Sequence, residues 1–169
     1  MERLSKVLAV AAALVLGSPH ANAEARRGAP DWEFGRVAIG DSRAHAPRHA
    51  AASKRCDDGH DSYICAISFG DGVWYGFEDR TLNAKWIEVS SRNHPSWIDP
   101  NETPEQCKAR LERLMHVPFT LWEQSPGVIW VYTTGLVSRR NGQRYNLQIT
   151  FEHGKMTEVR EGMYADPEQ

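Results

Sequence analysis

The stretch of residues 144–151, RYNLQITF, decides the fold because polar and apolar residues alternate along its whole length. Successive side chains of a β-strand point to opposite faces of the sheet, so this alternation predicts a strand with one wet and one buried face. Such strands are typical of antiparallel sheets. The residues predicted to point inward are Tyr145, Leu147, Ile149 and Phe151.

A further strand is predicted on each side of this one. Residues 127–137 form the preceding strand, and the Asn141-Gly142 pair between the two favours a tight hairpin turn. Residues 155–160 form the following strand. The three strands together make an antiparallel meander in the second half of the chain.

The first half of the chain shows the same kind of pattern. Apolar residues recur with a period of two over residues 62–89, and a turn at residues 70–72 (GDG) interrupts them. These residues predict a second three-stranded meander. Segments 77–82 and 151–156 also share one order of residue types at an offset of 74 residues. A tandem duplication and a chance match both fit a pattern this short.

Two helices are predicted, one before each meander. Residues 103–106 (TPEQ) combine a hydroxyl cap, a first-turn proline and a glutamine three residues after the cap, which together favour a helix start. An apolar stripe at helical spacing follows, made of Cys107, Leu111, Leu114 and Met115. The earlier helix is predicted over residues 43–55, with its regular part beginning near Pro47.

These elements predict a single α+β domain over residues 34–164. Its antiparallel β-meanders would have helices packed on one face, with a duplicated helix-plus-three-strand unit as an open alternative. The halves, 34–92 and 103–164, are joined by a proline-rich linker over 93–102. Residues 24–33 lack periodicity and are predicted to be disordered.

Residues 1–23 have the features of a secretory signal peptide. Arg3 and Lys6 precede an uncharged apolar run over residues 7–16, and a small-x-small site ends at Ala23. The run is too short to cross about 30 Å of hydrocarbon. We therefore expect a periplasmic or secreted protein that starts at Glu24 and has no membrane span after cleavage.

The charge balance argues against a nucleic-acid partner. The chain of 169 residues has 20 Lys and Arg against 22 Asp and Glu, a formal net charge of −2. Nucleic-acid binding is favoured by a strongly basic domain, which this is not.

The chain has three cysteines, and an oxidising compartment implies one disulfide and one thiol. Pairing of Cys56 with Cys65 is the first expectation. A bond between Cys65 and Cys107 is the alternative, because both residues are predicted to point inward. In the first case Cys107 is an ordinary core residue of its helix.

No motif specifies a catalytic, metal or cofactor site. Residues 40–42 (GDS) resemble an esterase nucleophile block, but no Asp-x-x-His motif follows near the C-terminus, so helix capping by Asp41 or Ser42 is the preferred interpretation. The acidic segment at residues 57–61 lacks the ligand spacing of a calcium loop and is interpreted as a solvated turn. No cofactor is expected.

The chain resembles a known family in several short motifs. They are residues 39–42 (IGDS) before a helix, 114–118 (LMHVP) at a helix end, 128–132 (VIWVY) and 151–156 (FEHGKM). This order resembles the SmpA/OmlA outer-membrane assembly lipoproteins and the related tandem fold of the β-lactamase inhibitor proteins. His116 stands where the family has glycine, and the lipid-bearing cysteine is missing. The resemblance implies a protein that binds other proteins and performs no chemistry.

Tryptophan supplies the candidate contact residues. Trp74 is predicted on the face opposite Val73, Tyr75 and Phe77, and Trp97 lies in the linker, while Trp86, Trp122 and Trp130 are interpreted as core. Exposed aromatic residues are favoured anchors at protein interfaces. Arg139 and Arg140, at a hairpin tip, would add a charged rim.

The expected function is that of an exported, non-enzymatic protein-binding protein: an inhibitor, an immunity-type protector or an envelope accessory protein. A small cell-envelope hydrolase is the alternative, and a deep pocket joining a nucleophile to a base would favour it. A periplasmic small-ligand carrier is the third hypothesis, and it requires a closed apolar cavity between helix and sheet.

Overall fold

The structure is a computed structural model that describes residues 32–46, 53–56, 65–78 and 80–163. The predicted signal peptide, residues 24–31 and the acidic segment 57–61 lie outside the described residues. The helical elements are a 3₁₀ turn (Arg43–His45) and α1 (Pro104–Met115). The strands are β1 (Ser53–Cys56), β2 (Cys65–Ser68), β3 (Trp74–Glu78), β4 (Thr81–Glu88), β5 (Thr120–Ser125), β6 (Val128–Val137), β7 (Arg144–Glu152) and β8 (Lys155–Met163).

The eight strands form one antiparallel sheet in the order β1-β2-β3-β4-β8-β7-β6-β5. Each half of the chain supplies a meander, and β4 pairs with β8 to join the halves. The predicted α+β class with antiparallel meanders is confirmed, and the structure shows that the sheet dominates it. Each meander has one strand more than the sequence pattern indicates, because β1 and β5 extend the two edges.

One face of the sheet carries the hydrophobic core. The four residues predicted to point inward from β7 are all buried, which confirms the alternation on which the fold prediction depends. Helix α1 contacts β5 and β6, and its buried Cys107, Leu111 and Met115 belong to the same core. The apolar side chains of β7 and α1 therefore fill one common interior.

The start of α1 follows its capping sequence. The Thr103 hydroxyl accepts a hydrogen bond from the Gln106 backbone, and the Gln106 side chain accepts one from the Thr103 backbone. This capping box satisfies two backbone donors that a helix start would otherwise leave without partners. At the other end His116 adopts a left-handed conformation with φ of 56°.

The first predicted helix is wrong over its C-terminal part. The structure has a three-residue 3₁₀ turn, capped by Ser42, and then strand β1, in which Arg55 and Cys56 pair with Ala66 and Cys65. Residues 47–52 lie outside the described residues. Helix propensity is a weak preference, and pairing with a neighbouring strand overrides it here.

Candidate binding face

Trp74 lies on the sheet face that points away from the core. Its neighbour Tyr75 is fully buried among the core residues, and consecutive strand residues point to opposite faces. Trp74 is half-buried on the other side. We call this side of the sheet the open face.

The strand register continues a row of side chains across the open face from Trp74. The row spans roughly 24 Å, since neighbouring strands lie about 4.8 Å apart. It consists of Trp74, Trp86, Arg160, Gln148, Tyr132 and Thr120. We call it the first row.

A second row runs beside the first, two residues away on each strand, later in the sequence on β4, β7 and β5 and earlier on β8 and β6. It consists of Glu88, Glu158, Thr150, Trp130 and Trp122. The two rows together bring five aromatic side chains to one face of the sheet. We call these five the aromatic patch: Trp74, Trp86, Tyr132, Trp130 and Trp122.

The rings of the aromatic patch are accessible to different degrees. Trp122 is 51% exposed and contacts Trp130 edge to face, with ring centroids 5.1 Å apart. The Arg160 guanidinium lies over the Trp86 ring at 5.5 Å, within the range of a cation–π interaction. The patch is therefore a shallow surface of half-buried rings held by contacts among neighbouring strands.

Carboxylates occupy the other end of the second row. Glu88 and Glu158 lie directly opposite each other on β4 and β8. Burial raises the pKa of Glu158; nearby Arg160 opposes this, while Glu88 and Glu152 add to it. The Glu158 carboxylate is therefore less stable as an anion than an ordinary surface carboxylate.

The structure does not bring the four predicted contact residues together. Trp97 packs against the core and meets Trp32 edge to face at 6.3 Å. Arg140 donates hydrogen bonds to the carbonyls of Gly35, at 2.8 Å, and Glu33, at 3.3 Å. Arg139 is exposed at the hairpin tip. Of the four predicted residues, Trp74 is the one placed in the aromatic patch.

Sequence reasoning missed three tryptophans of the patch by interpreting Trp86, Trp122 and Trp130 as core. In β6 the neighbouring residue Val131 is fully buried, and Trp130 points to the opposite face. The sequence did indicate that Trp130 and Tyr132 lie on the same face of the sheet, because they are two residues apart on one strand. It did not show which side was buried, because both faces of this strand are apolar.

A cluster of charged side chains lies on the core side. Lys85 is fully buried, and its Nζ is 2.9 Å from Glu161 Oε2 and 3.4 Å from Glu33 Oε1. It also donates a hydrogen bond to the Val37 carbonyl at 3.0 Å. Glu161 Oε1 accepts one from the Phe34 backbone at 3.1 Å. We call Lys85, Glu33 and Glu161 the buried charge cluster.

The buried charge cluster ties the segment before β1 to the sheet. Burial raises the pKa of Glu161 to about 7, and Lys85 opposes that shift. Glu161 Oε2 is close to Lys85 but lacks a hydrogen bond of good geometry. Glu33 also accepts a hydrogen bond from the Ser138 hydroxyl. All three side chains are buried, and their hydrogen bonds to the backbone of Phe34 and Val37 hold this segment against the sheet.

Ser42, in the segment 40–42, caps the 3₁₀ turn, in agreement with the capping interpretation of this segment. The Ser42 hydroxyl accepts a hydrogen bond from the Ala44 backbone at 3.3 Å. Asp41 Oδ1 accepts one from the Asn141 side chain at 2.9 Å. These contacts connect the 3₁₀ turn to the β6–β7 hairpin.

Two open grooves border the 93–102 linker. One, of about 580 Å³, is lined by residues that include Ser90, His94 and Lys155. The other, of about 440 Å³, is lined mainly by polar side chains, among them Arg110 and Arg113. Both differ from the closed apolar cavity that the carrier hypothesis requires.

Among the side chains that the structure describes, one cysteine is present, Cys107. It is fully buried and free, and burial raises its thiol pKa to about 12. This agrees with its interpretation as a core residue. The backbone register places Cys56 opposite Cys65, while the side chains of these two residues lie outside what the structure describes.

A comparison of the chain with family models, curated proteins and solved structures found no match. Within the described ranges, no helix combines the length and hydrophobicity needed to cross a bilayer.

Proposed function

We propose that the protein is an exported, non-enzymatic binding protein that uses the aromatic patch to hold another protein. The observation that carries this proposal is the gathering of five aromatic side chains on one open sheet face. Interface residues that contribute most to binding are enriched in Trp and Tyr, because their large rings lose much apolar surface to water when covered.

The exposure of Trp122 supports this function over a purely structural role. A tryptophan that only stabilised the sheet would gain from deeper burial, yet half of this ring faces solvent at the end of a row. Trp122 and Trp130 fix each other through their edge-to-face contact. A partner would therefore meet a surface that needs little reordering, which lowers the entropic cost of binding.

Site-specific cross-linking tests the proposal. A photoreactive side chain at Thr120, at the end of the first row, should capture a partner protein from the periplasm or medium of the native host. The same side chain at Glu105, exposed on α1, is the matched control and should capture none. Combining Trp74→Ala with Trp122→Ala should reduce the yield at Thr120 several-fold. Equal capture from both positions, or a yield that the double variant leaves unchanged, would contradict the proposal.

The resemblance to SmpA/OmlA and β-lactamase inhibitor proteins points to the same class of function, and it remains a proposal. The alternative of a hydrolase is less favoured because the candidate nucleophile block has structural contacts. The Ser42 hydroxyl accepts a hydrogen bond from the Ala44 backbone, and Asp41 accepts one from the Asn141 side chain. The carrier hypothesis is less favoured because the grooves described are open.

We also propose that the domain is a tandem duplication with an offset of 74 residues. The pairs Phe77–Leu82 and Gly76–Ala84 flank a bulge in the β3–β4 hairpin, and Phe151–Met156 and Thr150–Glu158 flank one in β7–β8. Adding 74 to each number of the first set gives the second set. Trp86 and Arg160, which are also 74 apart, face each other where β4 meets β8. These registers support a pseudo-twofold relation between the two hairpins. They do not extend to the helix that was predicted for the first unit.

The proposed disulfide joins Cys56 and Cys65. Directly opposite residues of antiparallel strands have Cα atoms about 4.5–5.5 Å apart, within the usual range for a disulfide. Trypsin leaves both cysteines in one peptide, residues 56–80, so mass spectrometry without reduction should show this peptide lighter by two hydrogens than after reduction. A Cys65–Cys107 species would contradict this pairing.

A further inference from the structure

We propose that a second surface, at one end of the sheet, binds an acidic segment of a protein partner. The surface consists of Arg43, Arg80 and Arg139, and we call it the arginine end. It lies outside the two rows of the open face, so the inference goes beyond the proposed function. It depends on the positions of the three arginines, on their charge and on the backbone of Arg80.

Three segments that are far apart in the sequence meet at the arginine end. The β3–β4 turn, with Arg80, and the β6–β7 hairpin, with Arg139, lie at the same end because β4, β8 and β7 pair antiparallel. The backbone of Arg43, in the 3₁₀ turn, donates a hydrogen bond to the Arg80 carbonyl at 2.7 Å. The Asn141 side chain of the hairpin donates one to the Ile39 carbonyl at 2.8 Å. These bonds fix the three segments relative to one another.

These segments are positively charged in a chain that is negative overall. Residues 40–45, 78–81 and 138–144 contain five arginines and three acidic residues, a formal net charge of +2, whereas the whole chain has −2. The planar guanidinium of arginine pairs with a carboxylate through two parallel hydrogen bonds. The segments therefore have an excess of the side chain that is best suited to bind carboxylates.

The three residues of the arginine end are exposed, and none of them has an ion pair among the described residues. Of the acidic residues in the same segments, Asp41 accepts a hydrogen bond from the Asn141 side chain at 2.9 Å. Glu78 accepts one from the Asn83 side chain. Asp79 lies outside the described residues. The two described carboxylates thus have partners of their own, and the three guanidinium groups are available to a partner.

The backbone conformation of Arg80 supports a role in binding. Arg80 has φ of 69°, a left-handed conformation that is unfavourable for a residue with a Cβ. The β7–β8 turn has the same length and contains Gly154, with φ of 78°, at the same position. An arginine therefore stands where glycine would fold with less strain, as residues at functional sites often do.

The spacing of the arginine end suits a short extended segment. The β3–β4 turn and the β6–β7 hairpin are three strand spacings apart, about 14 Å. An extended chain rises about 3.4 Å per residue and presents residues i, i+2 and i+4 on one side, so five residues cover this distance. Three acidic side chains at that spacing would reach the three guanidinium groups. This match favours a protein segment over the broad surface of an anionic membrane.

Peptide titration tests the inference. The probe is the blocked peptide Glu-Ser-Glu-Ser-Glu, and its control has glutamine in place of each glutamate. Because the whole chain has a net charge of −2, binding of an acidic peptide requires a locally positive surface. Binding is followed by NMR in about 25 mM NaCl through the backbone amide signals of Arg43, Arg80 and Arg139. We expect the glutamate peptide to bind about tenfold more tightly, and about 500 mM NaCl to remove most of this difference.

Variants separate the charge of the arginine end from its effect on folding. Arg43→Gln and Arg139→Gln should each weaken binding of the glutamate peptide about threefold. Arg80→Gln and Arg80→Gly should weaken it by the same factor, although only the glycine variant relieves the strained backbone and should unfold at higher urea concentration than wild type. Arg113→Gln is the matched control, because Arg113 is exposed on α1 and has no ion pair among the described residues; it should leave the affinity unchanged.

Several results would overturn the inference. They are equal binding of the two peptides, no binding of the glutamate peptide at low salt, and an effect of Arg113→Gln as large as those of the other variants. Vesicles of phosphatidylcholine and phosphatidylserine in equal parts are the second probe. Arginine-dependent sedimentation with these vesicles, without binding of the peptide, would assign the surface to a membrane instead. Cross-linking at Thr120 probes the open face, so the proposed function and this inference can fail separately.

Discussion

Replacing Lys85 by methionine should strongly destabilise the protein. The change keeps the length and apolar stem of the side chain and removes its charge, leaving Glu33 and Glu161 as two buried carboxylates near each other. Breaking a buried ion pair by removing one partner costs about 3–5 kcal/mol. Lys85 is completely buried and also donates to the Val37 carbonyl, so solvent cannot replace what it loses.

For a domain of this size that loss corresponds to a decrease in Tm of roughly 10–15 °C. The assay is thermal unfolding followed by circular dichroism, with urea unfolding at 25 °C to obtain the free energy. Lys108→Met is the matched control: Lys108 pairs with Glu112 at 2.6 Å on the surface of α1. Because solvent screens surface ion pairs, the control should change Tm by only a degree or two.

The pH dependence of unfolding gives a second readout of the same cluster. The pKa of Glu161 is raised from its ordinary value near 4.5 to about 7, so its protonated form is the one that folding favours. Its contribution to stability is fully present below pH 4.5 and is lost as the pH rises through 7. Lys85→Met should therefore cost more at pH 8 than at pH 5, and Glu161→Gln should flatten this dependence. A Tm of Lys85→Met within a few degrees of the Lys108→Met value would refute the reasoning.

Three further predictions concern the backbone and the helix cap. Arg80 has φ of 69° and corresponds to Gly154, φ of 78°, at the 74-residue offset, so Arg80→Gly should stabilise the protein by about 1 kcal/mol in urea unfolding. Gly154→Ala should lower the free energy of unfolding by about as much, because a Cβ there meets no atom within 4 Å and only the left-handed backbone conformation opposes it. An unchanged free energy of unfolding in either variant would contradict the proposed equivalence of the two turns. Thr103→Ala removes the capping box of α1 and should cost about 1 kcal/mol by the same assay, whereas an unchanged midpoint would show that the cap contributes little.

The sequence predicts the parts of the fold that depend on neighbours along the chain. The alternation of residues 144–151 identifies β7 and its buried side, and residues 103–106 identify the start of α1, because both signals are complete within a few residues. The helix expected over residues 43–55 fails for the opposite reason. Its last residues, Arg55 among them, pair with a strand that local propensity does not describe.

The candidate site is less predictable because it is assembled across strands. Trp74 could be placed on the open face from the alternation around Tyr75. Trp122 and Trp130 could not be placed in this way. Both faces of β6 are apolar, so the alternation does not show which face α1 covers. The burial of Lys85 was equally hidden, since its partners Glu33 and Glu161 lie far away in the sequence.

The sequence by itself therefore determined the strand periods, the turns and the capped helix, which arise from contacts between residues close in the chain. The tertiary structure alone decided that β4 pairs with β8. That pairing lines up one residue from each of six strands, from Trp74 to Thr120, into the first row. It also places Lys85 opposite Glu161 inside the protein. Both results depend on long-range register, which fixes the face and the neighbours of each side chain at once and which no short segment specifies.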